Sequence, residues 1–210
     1  MPWRNGGGLT REVASGLVHV PAPGEELADG FDWRVSVADV DADGPFSPFA
    51  GVDRVITLVE GAGMLLTVDG APHQVGPLRP FAFSGDAVTD CRLVAGAVRN
   101  VNVMTRRGRA WADVRIVTVD TAETVEPACA PGETLLAVAV TEGISVGGPD
   151  GPGTALGRLD CVRHEGPGAL TLRGDGTVAA IRIGCGCGCG CGCGIGCGIG
   201  CGIGSGATDL

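Results

Sequence analysis

The chain reads as an all-β protein on three observations. Runs rich in Val, Ile, Leu and Thr recur about every ten residues, with Gly, Pro and Asp between them, as in a sandwich or barrel. No stretch keeps a helical period over three turns. At 69–70 an Asp-Gly pair joins two such runs, 64–68 and 71–75, as a tight hairpin turn would. The full set of runs is 33–40, 54–60, 64–68, 71–75, 91–94, 100–105, 112–119, 134–141, 170–172 and 177–183.

Taken in order, the chain opens with Asn5-Gly6-Gly7-Gly8 ahead of a strand-like run. Those backbone N–H groups could cradle an anion, or the glycines could let the chain pass close to another element. No Lys-Ser or Lys-Thr follows, so the motif is not a P-loop. Residues 21–30 read as an exposed loop. The stretch 31–63 organises the rest: two strands joined by a turn dense in Asp, Gly, Pro and Phe. On its first strand Trp33, Val35 and Val37 share one face, and Arg34, Ser36 and Ala38 the other. Strand endings in Glu60-Gly61 and again in Glu142-Gly143 suggest two stacked β modules. The expected division is 1–107 and 108–183, with a seam near 107–111 and modules packed closely enough to count as one domain. From Gly184 onward Gly alternates with Cys or Ile; such a tail, 184–210, is low-complexity sequence without the means to build a core.

Composition excludes several classes. The 210 residues carry a net charge of −9 and no lysine, so there is no basic patch for nucleic acid. No apolar run is long enough to cross a bilayer, and the N-terminus lacks a signal-peptide core; the default location is the cytoplasm. Of the 10 cysteines, only Cys91, Cys129 and Cys161 precede the tail, and they read as small core residues.

Chemical motifs are sparse. His19, His73 and His164 are isolated, so no metal is expected. There is no G-x-S-x-G elbow, and Cys91 has nothing beside it to activate a thiol. Asp39, Asp41, Asp43 and Asp53 lie in or beside the turn, where Asp side chains bond backbone N–H groups. Asp53-Arg54 and Arg106-Arg107 lie at element ends, where surface pairing is the default. The strand residues say more. Arg34 shares a face with Ser36, and Asn100, Asn102 and Met104 share another. A guanidinium, a hydroxyl and an amide converging in a barrel suit a small carboxylate. An internal ion pair of Arg34 with Glu60 or Glu12 would equally satisfy the buried charge.

PWRNGGGLTRE, FDWRVSVADVDADGPFSPFAGVDR, LVEGAG, PFAFSGD and NVNVMTRRG, in this order from Pro2 to about Ile183, resemble the HutD/Ves family. That resemblance implies a bicupin, two RmlC-like cupin (double-stranded β-helix, jelly-roll) modules in one chain. It implies an accessory or regulatory role in histidine utilisation, with no assigned catalysis and no catalytic residue. It also implies a pocket for a small carboxylated metabolite such as formylglutamate or urocanate. Carried onto this chain, the ligand-binding set is Arg34, Ser36, Asn102, Met104, Glu60, Arg54, Asn5 and Glu12, without cofactor or metal, since the H-x-H of metal-binding cupins is absent. The family's short strand ahead of Pro-Trp has no counterpart here, nor has the tail, and either departure is expected to expose a sheet edge. A homodimer is compatible with the sequence. The rival readings are a cupin isomerase or hydrolase with Glu60 or Glu12 as general base, and a protein-interaction module.

Overall fold

The computed structural model describes residues 7–18, 30–121, 125–147 and 153–186, and every regular element among them is a strand. The first half contains β1 (Gly8–Gly16), β2 (Trp33–Val40), β3 (Gly44–Pro45), β4 (Val52–Glu60), β5 (Met64–Val68), β6 (Ala71–Val75), β7 (Phe81–Ser84), β8 (Thr89–Leu93) and β9 (Val98–Arg106). Its sheets are ordered β1-β2-β9-β4-β7 and β3-β8-β5-β6. The second half contains β10 (Ala110–Val119), β11 (Ala128–Cys129), β12 (Thr134–Ala139), β13 (Ile144–Gly147), β14 (Thr154–Leu156), β15 (Cys161–Glu165), β16 (Gly168–Ala169), β17 (Thr171–Gly174) and β18 (Gly176–Cys185). Here the sheets are β10-β18-β12-β15, β14-β13-β17 and β11-β16.

Period-two alternation makes three cores from these sheets. Trp33, Val35 and Val37 of β2, with Val101 and Val103 of β9, pack against Leu136, Val138, Ile181 and Ile183 of β12 and β18. That core lies between the two large sheets and joins the halves. The opposite face of the first large sheet closes on its own partner sheet through Val40, Ile56, Leu58, Met64, Leu66, Cys91 and Val98. In the second half, Leu135, Ala137, Ala139, Ile144, Leu172 and Val178 do the same. Each half therefore has an interior of its own as well as a share of the joint.

Turn chemistry fits the backbone. Asp69 and Gly70 have φ of 46° and 83°, the double positive φ of a type I′ hairpin turn, between β5 and β6. Polar clamps close the seam. Arg158 forms an ion pair with Glu60 and donates from Nε to the Val140 carbonyl at 3.1 Å and from Nη2 to that of Val59 at 3.4 Å. Arg109 pairs at 2.6 Å with Asp32, which is fully buried and also accepts from the Val18 N–H at 2.9 Å.

Two departures from the sequence reading bear on the fold. β18 runs on through Gly184 and Cys185, opposite Trp111 and Ala110, so the first residues of the Gly-Cys segment belong to the sheet. A Cβ on Gly184 would lie 2.7 Å from the Trp111 ring, so this glycine is where a ring packs on the backbone. The strands Phe81–Ser84, Ile144–Gly147 and Thr154–Leu156 are additional to the ten runs, being short and set among Gly and Pro.

Candidate functional site

The register of three neighbouring strands builds the site. Arg34 on β2 and Arg54 on β4 are both opposite Met104 on β9; Ser36 and Ile56 are both opposite Asn102; Ala38 and Leu58 are both opposite Asn100. Residues directly opposite in a sheet share a face. These rows therefore line the interior of the first half, the face of β2 that Trp33 does not occupy. The Arg34 and Arg54 row is the polar end; the Ile56 and Leu58 rows run into the apolar core.

The environment of the two arginines is unusual. Arg54 is 7 % exposed. Its Nη1 reaches the Ser47 carbonyl at 3.4 Å and its Nη2 the Asn102 Oδ1 at 3.5 Å, both long for a charged donor. Arg34 donates from Nη2 to the Met104 sulfur at 3.1 Å, a weak acceptor. The Nε atoms of both arginines, and the Ser36 hydroxyl, are buried without a hydrogen-bond partner. Among the described residues no carboxylate pairs with either guanidinium. Burial, followed by the charge of Arg34, pulls the Arg54 guanidinium down to about 10.

Phenyl rings take the place of counter-charges. The Arg34 Cζ lies 4.8 Å from the Phe31 ring and 5.4 Å from that of Phe49. The Arg54 Cζ lies 4.9 Å from Phe83, 5.5 Å from Phe46 and 5.5 Å from Phe49. Four of the protein's 5 phenylalanines thus surround this pair, and the fifth, Phe81, stacks on Phe83 at 5.9 Å. Each ring face offers a guanidinium part of what a carboxylate would.

The second half treats its arginines differently. Arg182 donates to Glu133 from Nε at 3.1 Å and from Nη2 at 2.9 Å, and these bonds hold the Glu133 carboxyl below its usual range. Arg115 pairs with Asp113 at 2.8 Å. Arg115, Asp113 and Arg182 line a cleft of about 280 Å³, and each of these three has an opposite charge as its partner. The first interior, by contrast, holds two guanidiniums with which no carboxylate pairs among the described residues.

The residues singled out from sequence are distributed as follows. Arg34, Ser36, Arg54, Asn102 and Met104 lie together. Arg54 does not take the surface pairing expected at an element end: it is inside β4, and only its neighbour Asp53 faces out, to pair with Arg107 at 2.7 Å. Glu60 is elsewhere, held by Arg99 at 2.9 Å and by Arg158. Glu12 is exposed on the edge strand β1 and accepts from the Ser15 hydroxyl at 2.7 Å. Neither carboxylate bonds Arg34, which corrects the internal ion pair, and neither stands among the interior arginines as a general base. Asn5 lies outside the described residues, as does His19. None of Phe31, Phe46, Phe49 and Phe83 is in the site set read from the sequence, although the alternation Val52, Arg54, Ile56, Leu58 turns Arg54 inward toward aromatic neighbours. A metal ion does not fit this interior, where it would meet two guanidiniums and neutral Ser, Asn and Met side chains.

A family model described as HutD matches residues 1–181. An uncharacterized 21.2 kDa protein in the hutC 3′ region of Pseudomonas putida is 40% identical over 174 residues, 79% of this chain and 82% of the relative. The solved structure of HutD from Pseudomonas fluorescens SBW25 is 35% identical with a TM-score of 0.72, covering 88% of this chain and 92% of the other. A cupin 2 conserved barrel domain protein from Leptotrichia buccalis is only 8% identical but superposes with a TM-score of 0.52 over 85% of this chain and 88% of the other, placing the architecture among the cupin-type barrels. The chain belongs to the HutD family.

Proposed function

We propose that this protein binds a small carboxylated metabolite in the interior of its first half, with Arg34 and Arg54 as the anchors, and serves histidine utilisation as an accessory or regulatory protein. One observation supports the reading above the others. Among the described residues, two guanidiniums share one aromatic-lined interior with no carboxylate paired to either and with both Nε atoms unpartnered. A planar carboxylate supplies what is missing: negative charge, and in-plane acceptors for guanidinium N–H donors. Ser36 and Asn102, one row further in, add a hydroxyl and an amide to orient the rest of the molecule. The histidine-utilisation context is that of the P. putida relative beside hutC and of the P. fluorescens protein. A formylglutamate-like or urocanate-like acid fits both context and charge.

The test is a thermal-shift titration with formylglutamate, urocanate and formate against chloride at matched ionic strength. The expected result is a rise in melting temperature with at least one of the acids in the wild type, and none in Arg34→Ala. A wild-type melting temperature unmoved by every acid would overturn the proposal.

A further inference from the structure

The two halves share a strand plan but furnish their interiors differently. In the first large sheet β2, β9 and β4 are neighbours, and in the second β10, β18 and β12. Across the first three runs the row Arg34, Met104, Arg54. Across the second three runs the row Asp113, Arg182, Leu135, and the next row on that face sets Arg115 beside Ala180. These side chains alternate with Ala112, Val114, Ile181 and Ile183, which pack into the joint, so they turn into the second half.

The segment 125–128 forms the other wall of the cleft on this face. Backbone hydrogen bonds fix it: Val125 exchanges two with Leu172, at 3.1 and 2.9 Å, and the Pro127 carbonyl accepts from the Leu170 N–H at 3.2 Å. Ala128 and Cys129 pair with β16. The wall holds Glu126 between Val125 and Pro127, with its Oε1 accepting from the hydroxyl of the buried Thr171 at 3.1 Å. Among the described residues no cation pairs with Glu126. The small side chains of Ala128 and Ala180 leave about 280 Å³ open over Leu135, at the small end of ligand pockets.

Hydrogen-bonding capacity of both signs is left over here. Arg182 uses Nε and Nη2 on Glu133 and keeps Nη1. Arg115 meets Asp113 through Nε at 2.8 Å, which leaves its Nη groups as donors, and Glu126 keeps Oε2 as an acceptor. With Glu133 included, three carboxylates stand against two guanidiniums, so the cleft suits a ligand of zero or single positive charge. We propose that it binds a free α-amino acid with a neutral or cationic side chain. The ammonium sits on Glu126, the carboxylate on Arg115 and Arg182, and the side chain over Leu135 and Val117. A zwitterion brings both complements in one small molecule and displaces neither existing ion pair. The two interiors thus have opposite preferences, the first for acids and the second for amino acids.

The experiment is a thermal-shift titration of the full chain with histidine, lysine, glutamine, leucine and glutamate. Each is run beside its N-acetyl derivative, which lacks the ammonium, and its α-carboxamide, which lacks the carboxylate. At least one of the first four is expected to raise the melting temperature, while glutamate and the derivatives do so far more weakly. Glu126→Gln keeps a partner for Thr171 and removes the charge; it and Arg115→Gln should each weaken binding about tenfold or more. Both residues are exposed, so the ligand-free melting temperature should hold in both variants. Arg34→Ala should keep the amino-acid response, which separates this site from the acid site of the first half. No shift with any of the four, or a derivative bound as tightly as its parent, would overturn the proposal. So would a Glu126→Gln protein that responds like wild type, or a response lost in Arg34→Ala.

Discussion

Arg34 and Arg54 approach Met104 from opposite sides of β9, one from each neighbouring strand, and among the described residues no carboxylate pairs with either. Like charges at this spacing in a buried setting are held against their mutual repulsion by the surrounding fold, so the ligand-free protein carries an electrostatic load.

Replacing Arg34 by Met removes one of the two charges and keeps most of the apolar stem. The ligand-free Arg34→Met protein is expected to be more stable than wild type by about 1–2 kcal/mol in urea unfolding, as when buried ionic groups give way to apolar ones of similar volume. It should also lose the response to carboxylates. A less stable variant would mean that Arg34 is there to hold the barrel together.

Alkaline pH should destabilise the protein through its buried thiols. Burial pushes Cys91 and Cys161 up to about 11 from an ordinary 9.0. Between those values the unfolded chain releases protons that the folded chain keeps, so stability is full below pH 9 and is lost as pH climbs to about 11. Arg54 acts in the opposite sense and later. Its folded form sheds a proton from about 10, well ahead of the unfolded chain, so its charge repulsion fades above pH 10. The chain has 3 Trp and 0 Tyr, so tryptophan fluorescence follows unfolding here without interference from tyrosinate. A Cys91→Ala/Cys161→Ala protein should show a much shallower loss of stability between pH 9 and 10; an unchanged slope would assign the loss to other groups.

Two glycines pack against tryptophan rings, and their tolerance should differ. A Cβ on Gly16 would lie 2.7 Å from the Trp33 ring, and one on Gly184 2.7 Å from that of Trp111. Trp33 is 1% exposed in the joint between the sheets, with the Arg163 guanidinium 5.1 Å from its ring. Trp111 is half-buried, with the Arg182 guanidinium 5.7 Å from its ring, so part of the ring faces solvent and can give way. Gly16→Ala is expected to cost about 2–3 kcal/mol and Gly184→Ala about 1 or less, read from denaturant midpoints. Equal losses would show that Trp111 is pinned as firmly as Trp33.

Arg158 reaches from the second half to Glu60 and the Val59 carbonyl of the first. Arg158→Ala should lower stability by about 1–2 kcal/mol, the scale of lost hydrogen bonds to a charged group. Adding Glu60→Gln should cost less than it does in the wild type, because the two changes remove one interaction. Strictly additive losses would show that the contact contributes little.

Much of this was legible in the sequence because a strand writes its faces at every second position. The separation of Arg34 and Ser36 from Trp33, Val35 and Val37 is the separation between the interior and the joint. Asn102 and Met104 share a face for the same reason. What stayed hidden depends on residues distant in the chain. Glu60 is claimed by Arg158, 98 positions on, and nothing local marks that pairing. Arg54, at the start of its run, resembled a surface residue until register placed it beside β9. Ile144–Gly147 escaped because four residues bounded by glycines carry too little alternation to register as a strand.

The joint between the large sheets has a practical corollary. Each half contributes one apolar face, and neither has another surface on which to bury it. A chain opened between Arg106 and Arg109 would release two fragments, each with the cover that the other lacks. Expressed separately they should be poorly soluble; expressed together they should reassemble, so the fold is a natural scaffold for a two-fragment complementation reporter.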